Sequence, residues 1–140
     1  WIAVGGDGWE GGLGDGCVTS VDIDEHVSRI MPPTRGSPGW IGFSDRLACS
    51  IDVAVDEPTT VALVLILDRG DGRGWLGNLQ GEQLVPAGAS TVAFRVADMR
   101  RGPGFASGTV ATANVARLAV MSWKPRTVMR VSRIALSAGP

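Results

Sequence analysis

The feature that most constrains the fold is a series of short apolar segments that recur every 8–12 residues, separated by glycine- or proline-containing turns. The clearest is residues 46–55, RLACSIDVAV, where every second residue from Leu47 to Val55 is apolar and those between are small or polar. Such alternation is typical of a strand with one face in a core and the other toward solvent. Many short segments of this kind predict an all-β domain of antiparallel strands.

We therefore expect a single-domain jelly-roll β-sandwich of about 9–10 antiparallel strands, with a glycine-rich N-terminal segment at 1–16 and the sandwich at 17–137. Residues 61–68, VALVLILD, are apolar on both faces, which predicts a central strand covered from both sides. The predicted strands are residues 17–23, 26–31, 40–43, 46–55, 61–68, 74–80, 82–85, 91–96, 115–122 and 127–137.

Charge and hydrophobicity narrow the range of partners. The formal net charge is −1, whereas nucleic acids and anionic membranes are bound by clustered positive charge, so we expect neither as a partner. No segment approaches the roughly 18–20 consecutive apolar residues of a membrane helix. The chain begins at Trp1 without a methionine, and we expect a mature or excised module of a longer, extracellular protein.

The two cysteines, Cys17 and Cys49, fit either one disulfide of an exported protein or two buried thiols. Alternation places both on the inward faces of their predicted strands, so a bridge is geometrically possible and both alternatives stay open. With a single histidine, the chain lacks the ligands of a standard zinc cluster. The GGLGDG stretch, residues 11–16, looks like a shortened calcium-binding repeat, and we allow for one structural calcium near this loop.

Enzymatic constellations are sparse. The chain has one histidine, His26, as a possible general base, but no G-x-S-x-G motif that would supply a nucleophilic serine. This argues against a Ser–His–Asp triad. Asp22 and Asp24 share a phase in VDIDEHV, residues 21–27, and faintly resemble the acidic strand of jelly-roll β-glucanases, although both flanking glutamates of that motif are missing. A small glycosidase or lyase using these two carboxylates is therefore an alternative; our main expectation is a non-catalytic protein.

Residues 67–79, LDRGDGRGWLGNL, allow four interpretations: an adhesion tripeptide at Arg69–Asp71, a calcium loop, a phosphate cradle, or a hairpin. A phosphate cradle requires a following helix, and the residues that follow here have a strand pattern. The calcium loop lacks the ligand spacing of an EF-hand. We favour the hairpin, because glycines supply the positive-φ positions of its turn.

From residue 39 onward, four stretches resemble the galactose-binding-like β-sandwich modules attached to agarases and related polysaccharide-degrading enzymes. The stretches are WIGF (40–43), VDEPTTVALVLILDRGDGRGW (55–75), LVPAGASTVAFRV (84–96) and VARLAVMSWKPRTVMRVSRIAL (115–136). The resemblance implies a β-sandwich that binds a polysaccharide or oligosaccharide without cleaving it, next to a catalytic domain of the same protein. Ser132 stands where such modules often have aspartate, which weakens a calcium site at that position.

Sugar recognition combines an aromatic ring stacked on the sugar face with hydrogen bonds from polar side chains. Trp40 lies opposite the core phase of its strand, and Trp75 shares a phase with Leu79. Asn78 and Gln80 lie on the other face, so they and Trp75 meet one ligand only if a bulge intervenes at Gly77. The predicted ligand-binding residues are Trp40, Arg73, Trp75, Asn78 and Gln80.

We predict no ligand contact for Trp123 and Trp9. Trp123 lies in the WKPR turn, where we expect edge packing, and Trp9 lies in the glycine-rich segment without an assigned role. The alternative to a carbohydrate-binding module is a structural module that packs on a neighbouring domain or builds a coat or fibre. In that case the exposed tryptophans would lie at a protein interface.

Overall fold

A computed structural model describes residues 4, 8–23, 27–33, 46–68, 75–101, 114–124 and 126–137. These residues form eleven strands and a single 3₁₀ turn, Val96–Asp98. The strands are β1 (Gly12–Gly14), β2 (Cys17–Thr19), β3 (Val21–Asp22), β4 (Ser28–Ile30), β5 (Ala48–Val55), β6 (Thr59–Asp68), β7 (Trp75–Val85), β8 (Gly88–Arg95), β9 (Arg100–Arg101), β10 (Asn114–Ser122) and β11 (Met129–Ser137).

Two antiparallel sheets pack face to face around one core. The five-stranded sheet has the order β1-β2-β11-β5-β8, and the six-stranded sheet has the order β3-β4-β10-β6-β7-β9. Ile51 and Ile134 of the first sheet and Leu63 and Leu65 of the second are fully buried in the same cluster. Burying each such side chain contributes about 1.5–3 kcal/mol. The predicted all-β sandwich is confirmed.

The alternation in residues 46–55 is confirmed residue by residue. The five apolar positions from Leu47 to Val55 are buried, and the positions between them face outward. On that outer face Asp52 Oδ2 lies 2.9 Å from Arg133 Nε of β11, and its Oδ1 accepts a hydrogen bond from Thr91. The hydrogen bond from Arg133, followed by that from Thr91, holds the pKa of Asp52 below its usual range.

The predicted strand 17–23 is two strands in different sheets. Ser20 lies at the crossing between β2 and β3, where its Oγ donates to the carbonyl of Thr127 at 2.8 Å and accepts from the amide of Met129 at 2.9 Å. Its backbone amide also donates to the carbonyl of Met129. These bonds fix the chain as it leaves the five-stranded sheet for the six-stranded one.

The inward phase predicted for Cys17 is wrong, because Val18 is the β2 residue that fills the core. Cys17 is half-buried on the outer face of the five-stranded sheet, whereas Cys49 is buried in the core between the two sheets. Both are free thiols. Of the two alternatives, the structure therefore has no disulfide. Burial raises the pKa of the Cys49 thiol to about 12, with a smaller opposing influence from the Arg133 guanidinium.

Two glycine-containing segments also differ from expectation. Residues 12–14, expected in an irregular loop, pair with β2 as β1, through a turn in which Asp15 has a φ of 52°. Residues 74–80 and 82–85 are expected as two strands, but residues 75–85 form the single strand β7, which continues through Gly81. A Cβ at Gly81 would lie 3.0 Å from Phe94 Cδ1 and 3.2 Å from Met99 Cγ, so the missing side chain leaves room for these core residues.

Candidate functional site

The outer face of β6 carries apolar side chains that the core does not use. Residues 61, 63, 65 and 67 point inward, which leaves Val64 and Ile66 on the outer face. The expectation that this strand is covered from both sides is confirmed at Ala62 and Val64, which face outward and are nevertheless buried. Val64 and the half-buried Ile66 also line a groove on the outside of the six-stranded sheet.

Strand pairing determines which residues share this groove, which we call the sheet groove. Val64 lies opposite Ala119 of β10 and Gln80 of β7, and Ile66 lies opposite Asn78. The volume is about 570 Å³, within the usual range of small-molecule sites. The lining residues are Glu10, Arg29, Met31, Val64, Ile66, Asn78, Gln80, Arg117, Ala119, Met121 and Trp123.

The sheet groove has an apolar floor and a polar rim. Met31, Val64 and Ala119 form a buried cluster separate from the main core, with Ile66 and Met121 packed against it. On the β4 side the rim is an ion pair between Arg29 and Glu10, and on the β7 side it is the half-buried Asn78 and Gln80. A ligand with both apolar and hydroxyl-bearing surfaces would match this arrangement.

Trp123 lies at one end of the sheet groove. Its side chain is 43% exposed, and its Nε1 donates a hydrogen bond of 2.9 Å to Glu82 Oε1. The same oxygen accepts from Gln80 Nε2 at 2.8 Å and lies 3.9 Å from Arg100 Nη2. Because the polar edge of the indole is already bonded, the exposed part of the ring is available for stacking.

Two of the five predicted ligand-binding residues, Asn78 and Gln80, lie together in the sheet groove. This answers which face of the 74–80 strand is open, because Leu79 between them is buried in the core. Trp40 and Arg73 lie outside the described residues.

The backbone of β7 contains the bulge on which the role of Trp75 depends. The register runs from Leu67 opposite Gly77 directly to Asp68 opposite Trp75, and it skips Leu76. The register shift thus lies at Leu76, one residue before the position considered at Gly77. The side chain of Trp75 lies outside the described residues, so its contact with a ligand stays a prediction. The antiparallel pairing of β6 and β7 supports the hairpin, whose turn at 69–74 is also outside the described residues.

Of the residues considered for catalysis, and of the tryptophans without an assigned role, the structure describes Asp22 and Trp9. Asp22 Oδ1 accepts hydrogen bonds from Ser28 Oγ at 2.6 Å and from the Arg126 amide at 3.1 Å, so this carboxylate holds the β10–β11 turn against β4. Asp24 and His26 lie outside the described residues. Trp9 packs against the main core.

No metal site stands out in the described residues. None of their histidine, cysteine, aspartate and glutamate side chains form a group of three or more that could hold an ion. A structural calcium therefore stays a prediction.

The described residues also contain no helix long and apolar enough to span a bilayer.

Sequence reasoning missed Trp123, Met121 and Ala119 as site residues. A signal for them was present, because Arg117, Ala119, Met121 and Trp123 occupy every second position of one alternating pattern. Extending the β10 phase two residues into the turn places Trp123 on the same face as Met121. Its partner Glu82 is 41 residues away in sequence and becomes a neighbour only through sheet pairing.

Two solved structures from Clostridium thermocellum share this architecture. One is a family 11 carbohydrate-binding module in complex with a β-1,3-1,4-mixed-linked tetrasaccharide, with a TM-score of 0.60, 15% identity, and coverage of 96% of this chain and 91% of that one. The other is the family 11 carbohydrate-binding module of the cellulosomal cellulase Lic26A-Cel5E, with a TM-score of 0.59, 15% identity, and coverage of 97% and 90%.

No protein-family description and no curated protein sequence matches the chain. At 15% identity the two structural matches establish the fold. That fold is the β-sandwich which the resemblance to polysaccharide-associated modules implies.

Proposed function

We propose that this chain is a non-catalytic carbohydrate-binding module of an extracellular polysaccharide-processing protein, and that it binds glycan in the sheet groove. The observation that carries the proposal is the combination of an apolar floor, a polar rim and one half-exposed, hydrogen-bonded tryptophan in a single groove. The fold shared with two carbohydrate-binding modules supports it, one of them in complex with a tetrasaccharide.

The chemistry of a sugar ring matches the two surfaces of the sheet groove. The C–H groups of a pyranose face are attracted to the negative face of an aromatic ring, and they lose little by contact with aliphatic side chains. Sugar hydroxyls both donate and accept, so they can bond with the amides of Asn78 and Gln80 and the guanidinium of Arg117. Binding of this kind requires no bond cleavage and no catalytic pair of carboxylates.

Glu82 acts in this proposal as a positioning residue. Its Oε1 accepts from both Trp123 and Gln80, so one carboxylate orients the stacking ring and a rim amide together. The exposed ion pair with Arg100 adds little energy but helps to limit the positions that the carboxylate can take. A preorganised site binds more tightly because less side-chain freedom is lost on binding.

The proposal is tested by affinity electrophoresis through mixed-linkage β-glucan and through agarose. We expect one of these polysaccharides to retard the wild-type protein, and Trp123→Ala to weaken retention by roughly tenfold, as is common for a central aromatic contact. Trp123→Phe, which keeps a ring but not the N–H, should retain part of the affinity. Absence of retardation in both gels would refute the proposed function.

A matched pair of glutamines separates the sheet groove from general effects on the strand. Gln80 and Gln83 both lie on β7, but Gln80 lines the groove whereas Gln83 hydrogen-bonds to the carbonyl of Ala93 on the neighbouring sheet. We expect Gln80→Ala to reduce retention and Gln83→Ala to leave it unchanged. Equal losses in both variants would place the binding surface elsewhere.

A further inference from the structure

A second depression lies at the end of the six-stranded sheet, beside the sheet groove. It has a volume of about 590 Å³ and lies where the β5–β6 turn meets the β10–β11 turn. We call it the end depression. Among the residues that line it are Asp56, Thr60, Leu84, Trp123, Thr127 and Val128.

The two depressions follow one another along the strands. On β7 the outward residues are Asn78 and Gln80 in the sheet groove, then Glu82 and Leu84 in the end depression. At a rise of about 3.3 Å per residue, the six steps from Asn78 to Leu84 extend over about 20 Å. Together they form a path much longer than either depression alone.

Trp123 is common to both depressions and stands at their junction. Its hydrogen bond to Glu82 fixes the indole where outward residues of β7 pass from one depression to the other. A ring that is 43% exposed at this junction can contact a ligand that crosses between them.

The end depression repeats the chemical character of the sheet groove. Leu84 is 73% exposed and Val128 is 44% exposed, which gives it apolar surface that no other described side chain covers. Around them stand the hydroxyls of Thr60 and Thr127 and the carboxylate of Asp56. A hydrogen bond from Arg130 anchors that carboxylate and holds the pKa of Asp56 below its usual range, so the group is a charged acceptor at neutral pH.

We propose that the end depression is a second glycan subsite, and that one linear sugar chain occupies both depressions by crossing Trp123. This inference rests on the proposed function of the sheet groove. Outward residues of β7 line both depressions and Trp123 belongs to both, so one extended chain that passes over Trp123 can contact both subsites. The preferred ligand is then a segment within a long, unbranched polysaccharide.

Isothermal titration with oligosaccharides of increasing length, made from whichever polysaccharide retards the protein, tests this proposal. We expect the dissociation constant of the wild type to fall by roughly tenfold between oligosaccharides that fill the sheet groove and those that reach the end depression. Leu84→Ser should raise the dissociation constant of the long ligands several-fold and leave that of the short ones unchanged. Because Leu84 is highly exposed, this substitution should not disturb folding.

Leu13→Ser is the matched control, because Leu13 is an exposed leucine of the five-stranded sheet that lines neither depression. It should bind ligands of every length as the wild type does. Binding that does not depend on length, or a Leu84→Ser variant identical to wild type, would overturn the second subsite and leave the proposed function intact. The second subsite would also be overturned if the wild type sediments as a dimer and Leu84→Ser as a monomer. That result would assign the surface around Leu84 to self-association. Failure to bind either polysaccharide would reject both proposals.

Discussion

The buried thiol of Cys49 makes the stability of this protein sensitive to alkaline pH. In the folded state its pKa is raised to about 12 by burial, from an ordinary value of 9.0. Above pH 9 the unfolded chain loses this proton while the folded chain keeps it. The unfolded state then binds fewer protons than the folded state, so the free energy of unfolding falls as pH rises.

The size of the effect follows from the separation of the two values. Each pH unit between them removes about 1.4 kcal/mol, so about 3 kcal/mol should be lost by pH 11. That is a large part of the roughly 5–15 kcal/mol that stabilises a typical domain. The chain contains no tyrosine and a single lysine, so few other side chains change charge in this range.

Urea unfolding followed by tryptophan fluorescence measures this dependence, with a reductant present to keep the thiols free. The wild type should lose stability steadily above pH 9, whereas Cys49→Ala should start lower, because it leaves a small cavity, and then change little. Cys17→Ala, which removes the half-buried thiol of β2, should follow the wild type. Parallel curves for wild type and Cys49→Ala would show that the buried thiol is not the cause.

Three further outcomes follow from the packing and the site. Gly81→Val should cost about 1–3 kcal/mol in urea unfolding, because the added side chain meets Phe94 and Met99; an unchanged midpoint would contradict the close packing. Ala119→Leu should fill the floor of the sheet groove and abolish retention by polysaccharide, and it should also lower the melting temperature, because Ala119 is buried beside Met31 and Val64; full retention would exclude this floor as the binding surface. Trp75→Ala should also weaken retention, by up to roughly tenfold, if the β7 bulge brings its ring to the ligand; wild-type retention would remove Trp75 from the site.

Alternation predicted the sandwich well wherever a strand has one face in the core and one in solvent. In residues 46–55 the alternation alone predicted all five buried positions, since each outward residue from 48 to 54 is small or polar. It failed at residues 17–23, where a single alternating pattern covers two strands. The crossing depends on the Ser20 hydroxyl and its bonds to the β10–β11 side of the chain, more than 100 residues away.

The sheet groove was harder to predict for a related reason. An apolar residue on an outward face looks the same in sequence whether it is covered by another element or lines a ligand site. Val64 and Ile66 were therefore interpreted as residues of a covered strand, and only the pairing of β6 with β10 and β7 shows that they also line a groove. Asn78 and Gln80 were predicted because polar residues flanking a buried leucine define the outward face without knowledge of the partner strand.

The depth of the sheet groove depends on a small residue in an unfavourable position. Alanine is disfavoured in strands relative to β-branched residues, yet Ala119 occupies the centre of β10, between the long side chains of Arg117 and Met121. A valine there would suit the strand better but would raise the floor opposite Val64. The short side chain thus lowers strand propensity and leaves space above the floor, between the rim residues. A small outward residue flanked by long outward ones, with an aromatic residue four positions after it, is therefore a pattern by which such a groove could be found in a sequence.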